Sequence, residues 1–152
     1  SVGLQIRNPA GSGQDIELDT ILFDYNAIWL TGPQDLEVYY SYGQLGDGSG
    51  GQLPNDTLLF TLNAAGNAGN GTNDYLDFSV DLQAALADFT LAPEENATFR
   101  IQGITASNAT VYGLVDNIAI NGTLVPVPEP STFALLAGFI GLAGVLIRRK
   151  RR

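Results

Sequence analysis

Carboxylates are the only abundant side chains of this chain that could carry out acid–base chemistry. Its 152 residues include 16 Asp and Glu but no His and no Cys, and the one Lys is Lys150. A Ser-His-Asp triad, a Cys-His dyad and a zinc site built on His or Cys are therefore excluded. Paired carboxylates, as in glycoside hydrolysis, remain, but the 15 acids before residue 129 form pairs by chance. We expect that the protein is not an enzyme.

Three of these acids lie close together near the start of a predicted strand. Asp15, Glu17 and Asp19 alternate along it, so their side chains share one face. Carboxylate oxygens are the ligands that Ca²⁺ prefers, which makes this face a candidate calcium site. The alternative is an ordinary solvated strand face.

A fourth acid, Asp116, lies inside an apolar stretch. Alternation places it on the same face as Leu114, Ile118 and Ile120. A carboxylate on such a face needs hydrogen bonds or a cation to compensate its burial, so Asp116 is the second candidate calcium ligand. The alternative is a buried Asp that accepts hydrogen bonds from backbone N–H groups.

Two aromatic side chains could stack on sugar rings. Trp29 ends a predicted strand beside the Gly32-Pro33 turn, and Tyr39 falls on the polar face of its strand. The alternative for both is packing in the core or at its rim. Trp29 and Tyr39 are therefore candidate carbohydrate-binding residues, although the sequence shows no tight cluster of aromatics around them.

Short strands separated by Gly, Asn and Pro turns make up most of the chain before residue 125. Apolar and polar side chains alternate along them, most clearly in Tyr75–Leu82. No long amphipathic helix interrupts them, although Ala84–Asp88 could form one helical turn. These features predict an all-β fold, an antiparallel β-sandwich, over residues 1–124. The predicted strands are Val2–Asn8, Ile16–Leu30, Leu36–Tyr42, Thr57–Leu62, Tyr75–Leu82, Thr98–Thr105 and Thr110–Ile120.

Residues 125–152 have a different composition from the rest of the chain. The first part, 125–130, contains three prolines, which fix φ and favour an extended hinge. The next 17 residues, 131–147, carry no charge and would form about 25 Å of helix, at the short end of what spans a bilayer. Moving cationic side chains across the bilayer is energetically unfavourable, so the basic cluster 148–152 should stay in the cytoplasm. We predict one transmembrane helix with the preceding domain outside the cytoplasm.

Charge is divided between these two parts. Residues 1–128 contain 15 acidic and two basic side chains, a net charge of −13, whereas residues 129–152 contain one acidic and five basic side chains, a net charge of +4. A domain this acidic will not bind nucleic acid through phosphates. It will also repel anionic lipid head groups and anionic polysaccharide unless cations mediate.

A proline-flanked glutamate, a glycine-spaced apolar run and a basic cluster follow one another in the last residues given. They are Val127, Pro128, Glu129, Pro130, Ser131 and Thr132; Leu135, Leu136, Gly138, Gly141 and Gly144; and Arg148, Arg149, Lys150, Arg151 and Arg152. This arrangement resembles the PEP-CTERM sorting signal of Gram-negative bacteria. The resemblance implies recognition by an exosortase, a membrane transpeptidase-like enzyme that cuts near Pro-Glu-Pro and hands the domain to the cell surface or exopolysaccharide. The alternative is an ordinary C-terminal membrane anchor with a proline hinge.

Four segments of the domain also resemble the jelly-roll ectodomains common among PEP-CTERM proteins: Leu18–Tyr25, Val38–Ser41, Thr98–Ile101 and Val115–Ile120. Those ectodomains in turn look like galactose-binding-type carbohydrate modules. The resemblance implies an additional edge strand ahead of the first strand seen here. Because export needs a signal that the first residues lack, we also expect a signal peptide ahead of Ser1.

These observations predict an exported surface or matrix protein of structural or adhesive type, sorted through its C-terminal signal. Its expected partners are an exosortase, the membrane and exopolysaccharide in a biofilm matrix. The alternative is a carbohydrate-binding module acting through its aromatics, assisted by calcium. No other cofactor is expected.

Overall fold

The computed structural model describes residues 1–27, 32–64, 75–104, 106 and 113–126. These residues form β-strands joined by turns, with one short helix. The elements are β1 (Val2–Arg7), β2 (Gln14–Ala27), β3 (Asp35–Gly43), β4 (Thr57–Asn63), β5 (Leu76–Asp81), α1 (Leu82–Ala85), β6 (Thr90–Leu91), β7 (Asn96–Ile104) and β8 (Gly113–Pro126).

The strands make two antiparallel sheets. The first sheet has the order β1-β7-β3-β4. In the second sheet β2 is central, because it pairs with β5 and β6 along one edge and with β8 along the other. The chain passes from one sheet to the other between β1 and β2, between β2 and β3, and again further along. The predicted all-β antiparallel class is thus confirmed.

Both sheets contribute to one hydrophobic core. The second sheet buries side chains of β2, among them Phe23, which stacks on Phe78 of β5 with ring centroids 5.3 Å apart. The first sheet buries β3 and β7, where Tyr40 and Phe99 make an edge-to-face contact at 6.2 Å. Burial of this apolar surface is the main favourable term for folding and fixes which face of each strand looks inward.

β-Bulges place several side chains on the opposite face of the sheet from the one that strict alternation predicts. One lies in β4 opposite Val38 and Tyr39, where Leu59 is the extra residue. Simple alternation would put Leu58 on the same face as Phe60. Because of the bulge Leu58 instead pairs with Tyr39 on the outer face and is 47% exposed, whereas Phe60 packs against the core.

The last strand is longer than predicted. β8 does not end at Ile120 but continues to Pro126, with Val125 opposite Asp15 and Pro126 opposite Gln14. The first two residues of the predicted hinge therefore belong to the sheet. Proline is tolerated there because the end of an edge strand does not need its N–H.

None of the helices among the described residues is long and apolar enough to cross a membrane. The predicted transmembrane helix, residues 131–147, lies outside the described part of the chain.

Candidate functional site

The end of β8 is where the domain meets the C-terminal segment. Pro126 is the last described residue of the chain and still pairs with Gln14 of β2. Just before it Leu124 is 58% exposed. The predicted sorting residues 127–132 and the basic cluster 148–152 lie outside the described residues. The structure does show where these residues are attached to the domain. They follow β8, which pairs with β2 from Gly113 to Pro126.

Tyr39 lies in a polar network on the outer face of the first sheet. Its hydroxyl donates a hydrogen bond of 2.6 Å to Oε2 of Glu37, and this bond raises the pKa of Tyr39. The guanidinium of Arg100 lies over the Tyr39 ring, 4.5 Å from its centroid, in a cation–π contact. The same guanidinium is 3.1 Å from Oδ1 of Asp56 and also donates to Gln102.

The strand pairing arranges these side chains in rows. Leu58 of β4, Tyr39 of β3 and Arg100 of β7 are direct cross-strand neighbours, and Gly3 of β1 follows in the same row. In the adjacent row Tyr42 lies opposite Thr98 and is 51% exposed. This part of the outer face therefore presents two aromatic rings and an apolar side chain beside the guanidinium of Arg100.

Of the two predicted sugar-stacking residues, the structure places only Tyr39, since Trp29 lies outside the described residues. Arg100, Tyr42 and Leu58 were not predicted as site residues from the sequence. Arg100 could have been suspected, because it is one of only two cations in residues 1–128.

The three acids at the start of β2 are accessible. Asp15 and Glu17 lie opposite Val125 and Thr123 of β8, and Asp19 is the extra residue of a bulge between Leu18 and Thr20. In the described part of the chain, no three Asp, Glu, His or Cys side chains come together in a way that could hold a metal ion. Asp19 is exposed and Asp15 and Glu17 are half-buried, so solvent reaches all three, and the calcium site on this face stays a prediction.

Asp116 is exposed, so its predicted place on an apolar face is wrong. Asn117 has a φ of 48° and makes a bulge, which turns Ile118 inward while Asp116 stays outward. Oδ1 of Asp116 accepts a 2.8 Å hydrogen bond from the Asn117 N–H, and the Asn117 amide donates to Asp24. No cation is needed to compensate a carboxylate in this position.

Asp47 organises the glycine-rich loop between β3 and β4. Its Oδ1 accepts hydrogen bonds from the N–H groups of Ser49 (2.7 Å) and Gly51 (2.9 Å). These two bonds lower the pKa of Asp47. The loop glycines Gly48 and Gly50 have φ values of 76° and 90°, which a side chain would disfavour. The carboxylate holds a turn, which is a structural role.

The C-terminal part of the chain, from Pro126 onward, matches a known sequence family. Residues 126–152 match the family model of the PEP-CTERM protein-sorting motif. No curated protein and no solved structure matches the chain. The motif marks an exported protein with a membrane-anchored precursor that an exosortase sorts to the cell surface. Beginning on the last residue of β8, the chain carries a PEP-CTERM protein-sorting motif.

Proposed function

We propose that residues 1–126 form a structural or adhesive module that is displayed at the cell surface, within the extracellular matrix and its exopolysaccharide. An exosortase cuts near Pro128–Ser131 and removes the apolar segment and the basic cluster. The module then acts through its surface rather than through catalysis.

The place where the sorting motif begins carries this proposal. The motif begins at Pro126, and the residues of β8 up to that position pair with β2. A cut after Pro126 therefore leaves every described strand pairing intact. A cut within β8 would remove part of a strand that covers β2 and would expose core side chains of the second sheet.

Composition supports a non-catalytic role. The chain has no His and no Cys, and Lys150 lies in the basic cluster that processing would remove. None of the described acidic side chains is buried, and the Asp116 and Asp47 carboxylates accept hydrogen bonds from the N–H groups of their own bulge and loop.

The sorting step is tested by replacing Pro128, Glu129 and Pro130 together with Ala in the native host. Membrane insertion should be unchanged and release should be blocked. Pro54→Ala is the matched control, because it also removes a proline but lies in an exposed loop ahead of β4, outside residues 126–152; it should be processed normally. Intact-mass measurement of the surface form should find a C-terminus ahead of Phe133. A surface form that still ends in Arg152, or normal release of the triple variant, would favour a plain anchor.

A second candidate function is carbohydrate binding on the outer face of the first sheet. The observation in its favour is the row of Leu58, Tyr39 and Arg100 next to the exposed Tyr42. Aromatic rings with polar neighbours suit the apolar faces and hydroxyls of a sugar. The net charge of −13 favours a neutral glycan, since an anionic one would be repelled.

A glycan-binding screen with and without calcium tests this second function. Tyr42→Ala and Tyr39→Ala should each abolish binding of any glycan that the wild-type protein retains. Leu76→Ala is the control, because Leu76 is also exposed (37%) but lies on β5 of the second sheet. If Leu76→Ala lost as much glycan binding as the tyrosine variants, or if both tyrosine variants bound like wild type, the outer face of the first sheet would not be the binding site. Binding that needs calcium would revive the metal hypothesis.

A further inference from the structure

One hydroxyl on the outer face of the first sheet is buried without a hydrogen-bond partner. Thr98 of β7 lies on this face, because its chain neighbours Ala97 and Phe99 both belong to the core. The residue is nevertheless only 9% exposed, and solvent does not reach its Oγ1 atom. Among the described residues no group donates a hydrogen bond to Oγ1 or accepts one from it.

Folding alone gives no reason for a hydroxyl at this position. A buried hydroxyl without a partner destabilises the folded state, because the group loses its hydrogen bonds to water on folding. Valine has nearly the shape of threonine and suits a strand equally well, but it carries no polar atom to leave unpaired. A ligand that bonds to Oγ1 of Thr98 would account for the threonine.

The side chains that cover Thr98 come from the two neighbouring strands. Gln5 of β1 and Tyr42 of β3 are its direct cross-strand partners, so their side chains flank it on the outer face. Both side chains are exposed, Tyr42 to 51%. Neither makes a hydrogen bond to another described residue. Each can therefore turn away from Thr98 without breaking a polar contact.

A bulge places Tyr42 in this row. Alternation from the buried Tyr40 would turn the Tyr42 ring into the core. Ser41 is the extra residue between them, since Tyr40 pairs with Phe99 and Tyr42 with Thr98. The bulge thus brings an aromatic ring to the outer face directly beside the unpartnered hydroxyl.

The charge on this part of the face is already neutralised. Arg100 lies two residues beyond Thr98 on the same face of β7, and its guanidinium is 3.1 Å from Oδ1 of Asp56. It also donates to Gln102 and covers the Tyr39 ring. What the row of Thr98 offers a ligand is therefore a hydroxyl, an amide and an aromatic ring, all of them uncharged. These groups suit the hydroxyls and the apolar ring face of a neutral sugar.

We propose that Gln5, Thr98 and Tyr42 form a subsite for one ring of a neutral glycan, and that the Tyr42 ring turns off Thr98 to admit it. The sugar stacks on Tyr42, one of its hydroxyls hydrogen-bonds to Oγ1 of Thr98, and the Gln5 amide binds a second hydroxyl. This inference rests on the second proposed function, carbohydrate binding by the outer face, and adds the residues that select the sugar.

Substitutions that separate the hydroxyl from the shape of Thr98 test the subsite. The proteins are the surface forms recovered from the native host, and the probes are the neutral and the anionic polysaccharide fractions of its matrix, separated by anion exchange. We expect Thr98→Val to weaken binding to the neutral fraction by about 10-fold, as the loss of one hydrogen bond predicts. Thr98→Ser keeps the hydroxyl and should bind like wild type. Thr61→Val is the matched control, because Thr61 is an exposed threonine on the same face, opposite Glu37.

Urea unfolding of the same proteins distinguishes a ligand contact from a structural role. Because it removes an unpaired buried hydroxyl, Thr98→Val should unfold at the same urea concentration as wild type or at a higher one. A lower midpoint, with equal loss of binding in Thr98→Ser, would mean that the residue serves packing and would overturn the subsite.

The binding results also separate this inference from the function on which it rests. If the wild-type protein bound neither fraction, carbohydrate binding itself would be wrong, and the subsite with it. If Tyr42→Ala weakened binding to the neutral fraction but Thr98→Val did not, the face would bind glycan without this subsite. Preferential binding of the anionic fraction would contradict the class of ligand.

Discussion

Tyr25 offers a test of how tightly the domain is closed around β2. Its side chain is 2% exposed, and its hydroxyl donates a 2.9 Å hydrogen bond to the carbonyl of Pro33. Burial raises the pKa of Tyr25 from 10.0 to about 12. A raised pKa means that this group stabilises the fold fully below pH 10, and that the contribution is lost as pH rises from 10 through 12.

The loss can be estimated from the shift. A shift of about two pKa units corresponds to about 1.4 kcal/mol lost at pH 11 and about 2.7 kcal/mol well above pH 12. Tyr25→Phe removes this dependence but also the hydrogen bond to Pro33, which costs about 1 kcal/mol. The variant should therefore be less stable than wild type at pH 8 and more stable above about pH 11, so that the two curves cross.

Urea unfolding of residues 1–126 between pH 8 and 11.5 measures this crossing. Those residues contain no Lys and no Cys, so tyrosines are the only side chains expected to titrate in that range. Tyr39 and Tyr40 also have raised pKa values. Both tyrosines are present in wild type and in Tyr25→Phe, so their effects cancel when the two unfolding free energies are subtracted. Tyr42→Phe is the control, since it makes the same substitution at a tyrosine that is 51% exposed and removes no buried hydroxyl. A constant difference between Tyr25→Phe and wild type across the range would refute the closed packing.

Two further predictions concern the Asp47 loop and the start of β8. Because its pKa is lowered, Asp47 contributes stability above pH 3.8 that is lost as pH falls through its lower folded value. Asp47→Ala should thus lower the urea midpoint more at pH 6 than at pH 2, whereas Asp47→Asn, which keeps Oδ1, should lose less at pH 6. In β8, a Cβ on Gly113 would lie 2.2 Å from the Tyr25 hydroxyl oxygen, so Gly113→Ala should cost about 1–3 kcal/mol of unfolding free energy. A double-mutant cycle with Tyr25→Leu should recover part of that loss, and strictly additive effects would contradict the predicted clash.

Alternation and turn residues were sufficient to predict most strands and the all-β class. The pattern in Leu36–Tyr42 corresponds to β3 within one residue at each end, because buried and exposed faces alternate along it. The end of β8 was missed because Asn121–Pro126 lacks that alternation. Its pairing with residues 14–20 of β2 is a long-range contact that local patterns do not contain.

Alternation does not predict which face a side chain lies on where one extra residue enters a strand. A strand repeats every two residues, so a bulge moves all later side chains to the opposite face. Asn117 does this in β8 and Leu59 in β4, which is why Asp116 and Leu58 face solvent and not the core. Asn tolerates the left-handed region, so a bulge at Asn117 could have been suspected, whereas nothing in the residue type marks Leu59. The outer-face row of Leu58, Tyr39 and Arg100 depends on that second bulge, since without it Leu58 would face the core. The feature that most favours ligand binding therefore arises from backbone register, which sequence periodicity alone does not specify.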